Sequence, residues 1–317
     1  MLLTILLLFI GFLLLIKGSA YFVDGASSLS LKLNMAPITI ALSVVAFGTS
    51  SPELVINIFA ASKGNTGISY GNIFGSNIIN ILLVLGVAGV ITTLKTARNT
   101  VWREIPFLVM AIIAIFVLCN DKIFNGGSPD MLSLGDGIIL LLFFIIFLAY
   151  LFIMSKATAE NIPQLEVLST TKTLVYLIGG LLFLIFGGKL SVDSAVDIAK
   201  SLGMSNRLIG LTIIAIGSSL PELFTTAIAA AKGHYDIAVG NAIGSSIFNI
   251  LFILPITAII TPLPFSSELN LDIFVMFIAS FLLFVTMFTG KKRVLDTWEA
   301  IGFIIIYLVY LTYLIIN

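Results

Sequence analysis

The chain has 317 residues, 59% apolar and only 10% charged, with a formal net charge of zero, one cysteine and one histidine. Soluble domains carry about 25% charged residues, so the composition points to an integral membrane protein with little mass outside the bilayer. It excludes an internal disulfide and a cysteine-based metal cluster, and gives no footing for nucleic-acid binding.

Ten apolar spans are predicted, at about residues 2–23, 36–62, 68–93, 101–119, 134–154, 172–193, 205–231, 236–261, 271–289 and 297–316. A helix of about 20 residues crosses the hydrocarbon core, and the runs are continuous, which argues against an alternating barrel pattern. Met1–Leu15 could pass for a secretory leader, with Gly18–Ala20 as a cleavage site. No positive charge precedes it and Lys17 follows it, so it reads as the first span. The second and seventh spans are long enough to be bent or broken. The connection 155–171 is too short for a folded domain, which needs at least about 50 residues.

Lys and Arg set the orientation. Lys32, Lys95, Arg98, Arg103, Lys156, Lys172, Lys232, Lys291, Lys292 and Arg293 fall in loops on one side, against Lys63, Lys122, Lys200 and Arg207 on the other. The ten-residue side is expected to be cytoplasmic, leaving both termini extracellular.

A shift of 169 residues aligns 18–86 with 187–255 without a gap, with 28 of 69 positions identical. One block pairs Ala46, Gly48, Ser50, Pro52, Glu53 and Leu54 with Ala215, Gly217, Ser219, Pro221, Glu222 and Leu223. Another pairs "GNIFGSNIIN" (Gly71–Asn80) with "GNAIGSSIFN" (Gly240–Asn249). Shared apolar composition cannot place Pro, Glu, Asn and Lys in register. The copies start five spans apart, an odd number, so equivalent helices cross the membrane in opposite senses. The expected fold is all-α, with ten transmembrane helices in two inverted-topology repeats, 1–154 and 172–317. Such repeats place a binding site near the midplane.

Glu53 and Glu222 lie deep in the second and seventh spans, where a charge costs roughly 2.5–3.5 kcal/mol. No Lys or Arg lies at that depth, so a proton, a proton shared between them or a bound cation must offset the charge. Pro52 and Pro221 remove a backbone donor, and Gly48 and Gly217 permit a break. Each motif therefore reads as a junction between half-helices, with carbonyls freed near Ala46–Thr49 and Ala215–Ser218. Carboxylate, carbonyl and hydroxyl oxygens suit Na⁺ and Ca²⁺. Ser76 and Asn80, like Ser245 and Asn249, are four residues apart and share a helix face, and the Ser50 and Ser219 hydroxyls belong to the same motifs. Gly71, Gly75, Gly240 and Gly244 read as close-packing positions. Asp24 and Asp193, near span ends, are interfacial residues or aids to ion entry. His234 reads as a solvated loop residue.

With both motifs in hand, the whole chain resembles the sodium/calcium exchangers of the cation/calcium exchanger superfamily, in their short prokaryotic form. The resemblance implies that Glu53 and Glu222 are shared central ligands. It implies that Thr49 and Ser218 supply carbonyls to Ca²⁺, and carbonyls and hydroxyls to Na⁺. Ala46 and Ala215 would give carbonyls, and Ser76 and Ser245 hydroxyls, to outer Na⁺ sites, with Asn80 and Asn249 completing the centre. Spans one and six would slide as a gate against the other eight. Ser218 stands where threonine is common. Asn249 stands where potassium-dependent relatives carry aspartate, which disfavours K⁺ cotransport. The implied function is Na⁺/Ca²⁺ antiport at the cell membrane, with these ions and the bilayer as partners, no cofactor, no protein partner and no enzymatic activity. The alternative is a proton/Ca²⁺ antiporter using the same carboxylates. Proton-coupled relatives show a Gly-Asn-x-x-Glu signature that this chain lacks. A channel is disfavoured, since one chain builds one asymmetric site instead of a ring of ligands around a pore.

Overall fold

Long runs of Leu, Ile, Val and Phe can bury their backbone polar groups in hydrocarbon only by pairing them within the segment, and helices do this. The computed structural model, described over residues 2–62, 66–126, 129–155, 167–203 and 215–316, is accordingly almost all helix. The helices are α1 (Leu2–Lys32), α2 (Pro37–Thr49), α3 (Ser51–Ser62), α4 (Gly67–Ile91), α5 (Thr100–Cys119) and α6 (Leu134–Ser155). They continue as α7 (Thr170–Ser201), α8 (Ala215–Ser218), α9 (Leu220–Ala231), α10 (Tyr235–Ile260), α11 (Ser267–Thr286) and α12 (Thr297–Ile316).

Among the described residues, eight of these helices are long and apolar enough to cross a membrane, and α2 with α3 makes a ninth span bent by 47°. The chain is a multi-pass membrane protein. The first half of the expected seventh span falls on residues 204–214, and most of the linker on 156–166, both outside the described residues.

Two boundaries differ from the sequence expectation. α1 runs to Lys32 instead of 23, and α7 to Ser201 instead of 193. The polar residues that suggested loops form a helix–helix face instead: Ser28 shares a hydrogen bond with Thr173 (2.9 Å), and Lys32 donates to Thr170 (3.2 Å). α1 and α7 lie antiparallel along their length, in backbone contact. A Cβ on Gly180 would sit 2.7 Å from the Phe22 nitrogen and 2.8 Å from the Gly18 oxygen; one on Gly187 would sit 2.9 Å from the Gly11 oxygen. Only glycine allows that approach.

α4 and α10 are the enclosed centre. In each, 78% of the most apolar window is buried, against 22% in α1 and α12. Outer helices turn large apolar side chains such as Leu3, Met110, Ile153 and Ile316 outward, as a lipid-facing surface requires. Two short ladders, absent from the all-helical expectation, tie loops together. β1 (Leu94–Lys95) pairs antiparallel with β4 (Val294–Leu295), and β2 (Met131–Leu132) with β3 (Leu263–Pro264).

Candidate ion-binding site

The two motifs are breaks, as their prolines predict. α2 ends at Thr49, Ser50 leaves helical geometry (φ −83°, ψ 5°), and α3 starts at Ser51 with Pro52 in its first turn. The second copy repeats this: α8 ends at Ser218, Ser219 takes φ −91° and ψ 9°, and Pro221 stands in the first turn of α9. Proline is tolerated there because first-turn N–H groups lack helical acceptors. Glu53 and Glu222 thus sit in the first turns of α3 and α9, where the helix dipole favours negative charge.

One expectation needs amendment. The break does not strip the Ala46 carbonyl of partners, since it still accepts the Ser50 N–H at 3.0 Å and lies 3.3 Å from the Thr49 hydroxyl. A carbonyl has two lone pairs, so one remains open to competition between that hydroxyl and a cation. In the second copy the Ser219 N–H turns to Ile216, three residues back, at 3.1 Å. Ala215 opens α8, and its side chain lies outside the described residues.

The expected ligands converge. Glu53, Thr49, Ser50, Ser76, Asn80, Ser219, Glu222, Ser245, Asn249 and Ala46 are all buried, and Ser218 is half-buried. Contacts cross between the copies: Ser50 donates to Glu222 Oε1 at 3.2 Å, and the Thr49 and Ser245 hydroxyls meet at 3.2 Å. Glu53 faces Glu222 and the Ser76 hydroxyl without a hydrogen bond to either. Both Glu53 oxygens and Glu222 Oε2 have no donor, so three of the four carboxylate oxygens are buried and unpaired. The Ser76 and Ser219 hydroxyls, both polar atoms of the Asn80 side chain and Asn249 Oδ1 are unpaired too. Unsatisfied buried polar atoms are costly and rare, and the two glutamates with these four motif residues hold eight of those found among the described residues. Asn80 and Asn249 each lie in a π-helical turn, Ile79–Val84 and Asn249–Ile253, a local widening common at functional sites.

Gly240 and Gly244 bring α10 against α2: a Cβ on Gly244 would lie 2.8 Å from Ala46 Cβ, and one on Gly240 would meet Ala41 and Ile38. For Gly71 and Gly75, the residues that correspond to Ile38, Ala41 and Leu42 are 207, 210 and 211, outside the described residues.

Three polar residues around the site escaped sequence reasoning. Asn57 donates to the Glu53 carbonyl at 2.8 Å. Asn241 accepts from Thr49 at 3.0 Å and donates to Thr226 at 3.0 Å and to the Glu222 carbonyl at 3.4 Å. Asn241 stood in the repeated motif; its contact with a residue 192 positions away left no mark in spacing.

Asp24 and Asp193 lie apart from this cluster, and Asp193 is exposed. Asp24 forms an ion pair with Lys232 at 2.6 Å, and the same ammonium donates to the Ala20 carbonyl at 3.0 Å. His234 is half-buried beside them, at the N-terminus of α10, rather than solvated. Burial lowers its imidazole pKa, Asp24 opposes that shift and Lys232 reinforces it.

The protein family described as "Sodium/calcium exchanger protein" matches residues 3–153 and 172–316. "Putative antiporter CaxA" of Alkalimonas amylolytica is 37% identical over 309 residues, covering 94% of each chain. "Ca(2+)/H(+) antiporter ChaA" of Bacillus subtilis is 28% identical over 252 residues, covering 74% of this chain and 71% of that one. Among solved structures, the sodium-calcium exchanger NCX_Mj soaked with 2.5 mM Na⁺ and 0.1 mM Ca²⁺ superposes with a TM-score of 0.83 at 32% identity, covering 98% of each chain.

Proposed function

The chain belongs to the sodium/calcium exchanger protein family, a family of transporters and not of enzymes, and on that premise we propose that it exchanges Na⁺ for Ca²⁺ through one site centred on Glu53 and Glu222. The observation that carries this reading is the trio of buried carboxylate oxygens without hydrogen bonds, accompanied by unpaired hydroxyl and amide oxygens of the same two motifs. Their deficit is of positive charge, and the donor set is all oxygen, as hard cations require. Thr49, Ser218, Ala46, Ala215, Ser50, Ser219, Ser76, Ser245, Asn80 and Asn249 complete the ligand set in this reading.

Charge arithmetic couples the ions. Two ionised carboxylates with one Ca²⁺ are neutral, with two Na⁺ neutral, and with three Na⁺ carry one positive charge. Without ions they carry two negative charges, which a low dielectric makes costly to move. The gate therefore slides when ions neutralise the site and stalls when they leave. We assign that gate to α1 and α7, whose glycine contact makes them one body. Two inverted five-helix repeats, 1–154 and 172–317, joined by 155–171, are the architecture proposed, with ten spans and both termini extracellular. Its supports are the 169-residue repeat, the antiparallel α1–α7 pair and the two ladders, each of which joins one repeat to the other.

The test is Ca²⁺ uptake into proteoliposomes loaded with Na⁺ and diluted into Na⁺-free buffer. Uptake driven by the Na⁺ gradient is expected; uptake no greater than in Na⁺-free vesicles refutes sodium coupling. The second reading, proton/Ca²⁺ antiport, is favoured by the similarity to ChaA. It predicts uptake driven by a pH gradient with Na⁺ absent from both sides.

A further inference from the structure

We propose that Asn241 is a positioning residue that turns the Thr49 hydroxyl so that its oxygen, and the open lone pair of the Ala46 carbonyl, face the ion. The inference rests on the reading of Thr49 and Ala46 as ligands. Asn241 is fully buried on α10, and its amide orientation is fixed by its surroundings. The Glu222 carbonyl, 3.4 Å away, can only accept, so the nitrogen must face it and Thr226. Asn241 Oδ1 then faces Thr49, at 3.0 Å.

A threonine hydroxyl has one proton, and three acceptors lie within hydrogen-bond distance here: Asn241 Oδ1 at 3.0 Å, Ser245 Oγ at 3.2 Å and the Ala46 carbonyl at 3.3 Å, with the Glu222 carboxylate facing it farther off. The amide oxygen is the nearest. With the proton on that bond, both Thr49 lone pairs are turned away from Asn241. The Ala46 carbonyl, whose other lone pair holds the Ser50 N–H, keeps its second one for a cation. Remove the amide oxygen and the proton turns to Ser245 Oγ or to the Ala46 carbonyl, the latter being the local three-residue bond that Thr makes inside helices, and both are read as ligands. One substitution thus ties up a ligand oxygen and misdirects a hydroxyl. The nitrogen of the repeat-related Asn72 is buried and unpaired, so it does not repeat the donation that Asn241 makes to a threonine hydroxyl and a glutamate carbonyl.

Because the hydroxyl is called on for Na⁺, the effect is read in Na⁺ dependence. Na⁺ half-saturation of Ca²⁺ exchange is measured in proteoliposomes for the parent, Thr49→Val, Asn241→Ala and the double variant, each checked for a monodisperse, cooperatively melting protein. Asn241→Ala is expected to raise Na⁺ half-saturation by roughly fivefold, the loss of about one hydrogen bond, with a smaller change in maximal rate. In the Thr49→Val background, Asn241→Ala is expected to add nothing. If Asn241→Ala does not fold, Asn241→Ser, too short to reach Thr49, takes its place. Additive effects in the double variant overturn the inference, because Asn241 would then act without Thr49. Weakened Na⁺ binding in Thr49→Val with none in Asn241→Ala also overturns it, while sparing the ligand reading. An unchanged Thr49→Val defeats the ligand reading of Thr49, and the inference falls with it.

Discussion

A carboxylate buried in an apolar bundle is tolerated only when something cancels its charge, and neither oxygen of Glu53 accepts a hydrogen bond. A cation that fills this deficit stabilises the folded protein by mass action, by about 2.7 kcal/mol at a hundredfold excess over its dissociation constant. Glu53→Gln and Glu222→Gln keep the side-chain shape and remove the charge. Each variant is expected to fold, to lose Ca²⁺ uptake and to lose the rise in melting temperature that Ca²⁺ gives the parent. Retention of a Ca²⁺-dependent melting shift in either variant removes that glutamate from the ligand set. The pair was legible in the sequence because proline, glycine and glutamate recur in register 169 residues apart. Asn57, Asn241 and Thr226 were not: Asn57 bonds only to the carbonyl one turn back on its own helix, as many polar helix residues do, and the bond of Asn241 across the bundle to Thr49 imposes no spacing on the chain.

Between helices, the closest contact is the antiparallel pair α1–α7. Gly11, Gly18 and Gly25 recur every seven residues on α1, as do Gly180 and Gly187 on α7, and their missing side chains let backbone meet backbone. In the proposed sliding gate, a pair locked at that distance would move as one body against the rest. Gly180→Ala places a Cβ 2.7 Å from the Phe22 nitrogen, an atom that cannot rotate away. Overpacking of this kind costs about 1–3 kcal/mol, so a lower melting temperature and Ca²⁺ uptake reduced roughly tenfold are expected. Gly179→Ala is the internal control: nothing lies within 4 Å of its Cβ, and alanine favours helix over glycine by about 1 kcal/mol. Its melting temperature should hold or rise; equal damage from both substitutions would show helix-wide sensitivity and no special contact at Gly180. Sequence reading placed these helices but ended α1 near 23 and α7 near 193. Ser28 and Lys32 look like loop chemistry until a partner helix is there to receive them, at Thr173 and Thr170. The breaks after Thr49 and Ser218 were legible because proline and glycine act locally.

Across the whole molecule, the two ladders and the charge distribution are independent markers of sidedness, and they agree. β1 and β4 lie in the loops that hold Lys95, Arg98, Lys291, Lys292 and Arg293; β2 and β3 lie in loops without that excess of Lys and Arg. A two-residue ladder requires its strands to share one side of the membrane, so each pairing fixes two loops together. Inverted repeats further require that β1, after α4, and β3, after α10, lie on opposite sides, although they follow equivalent helices. The single natural cysteine, Cys119, is buried, so a Cys119→Ser background allows cysteines to be placed one at a time. Lys95, Lys122, Glu268 and Lys292 are exposed on these four loops. A membrane-impermeant maleimide applied to intact cells is expected to label Lys122→Cys and Glu268→Cys, and to reach Lys95→Cys and Lys292→Cys only after permeabilisation. The opposite pattern would turn the molecule over while keeping its architecture. Lys95→Cys and Lys292→Cys labelling from different sides would contradict the β1–β4 ladder itself. Lys95→Cys and Glu268→Cys labelling from the same side would abolish the inversion, and with it the reason for two half-sites to meet at mid-membrane.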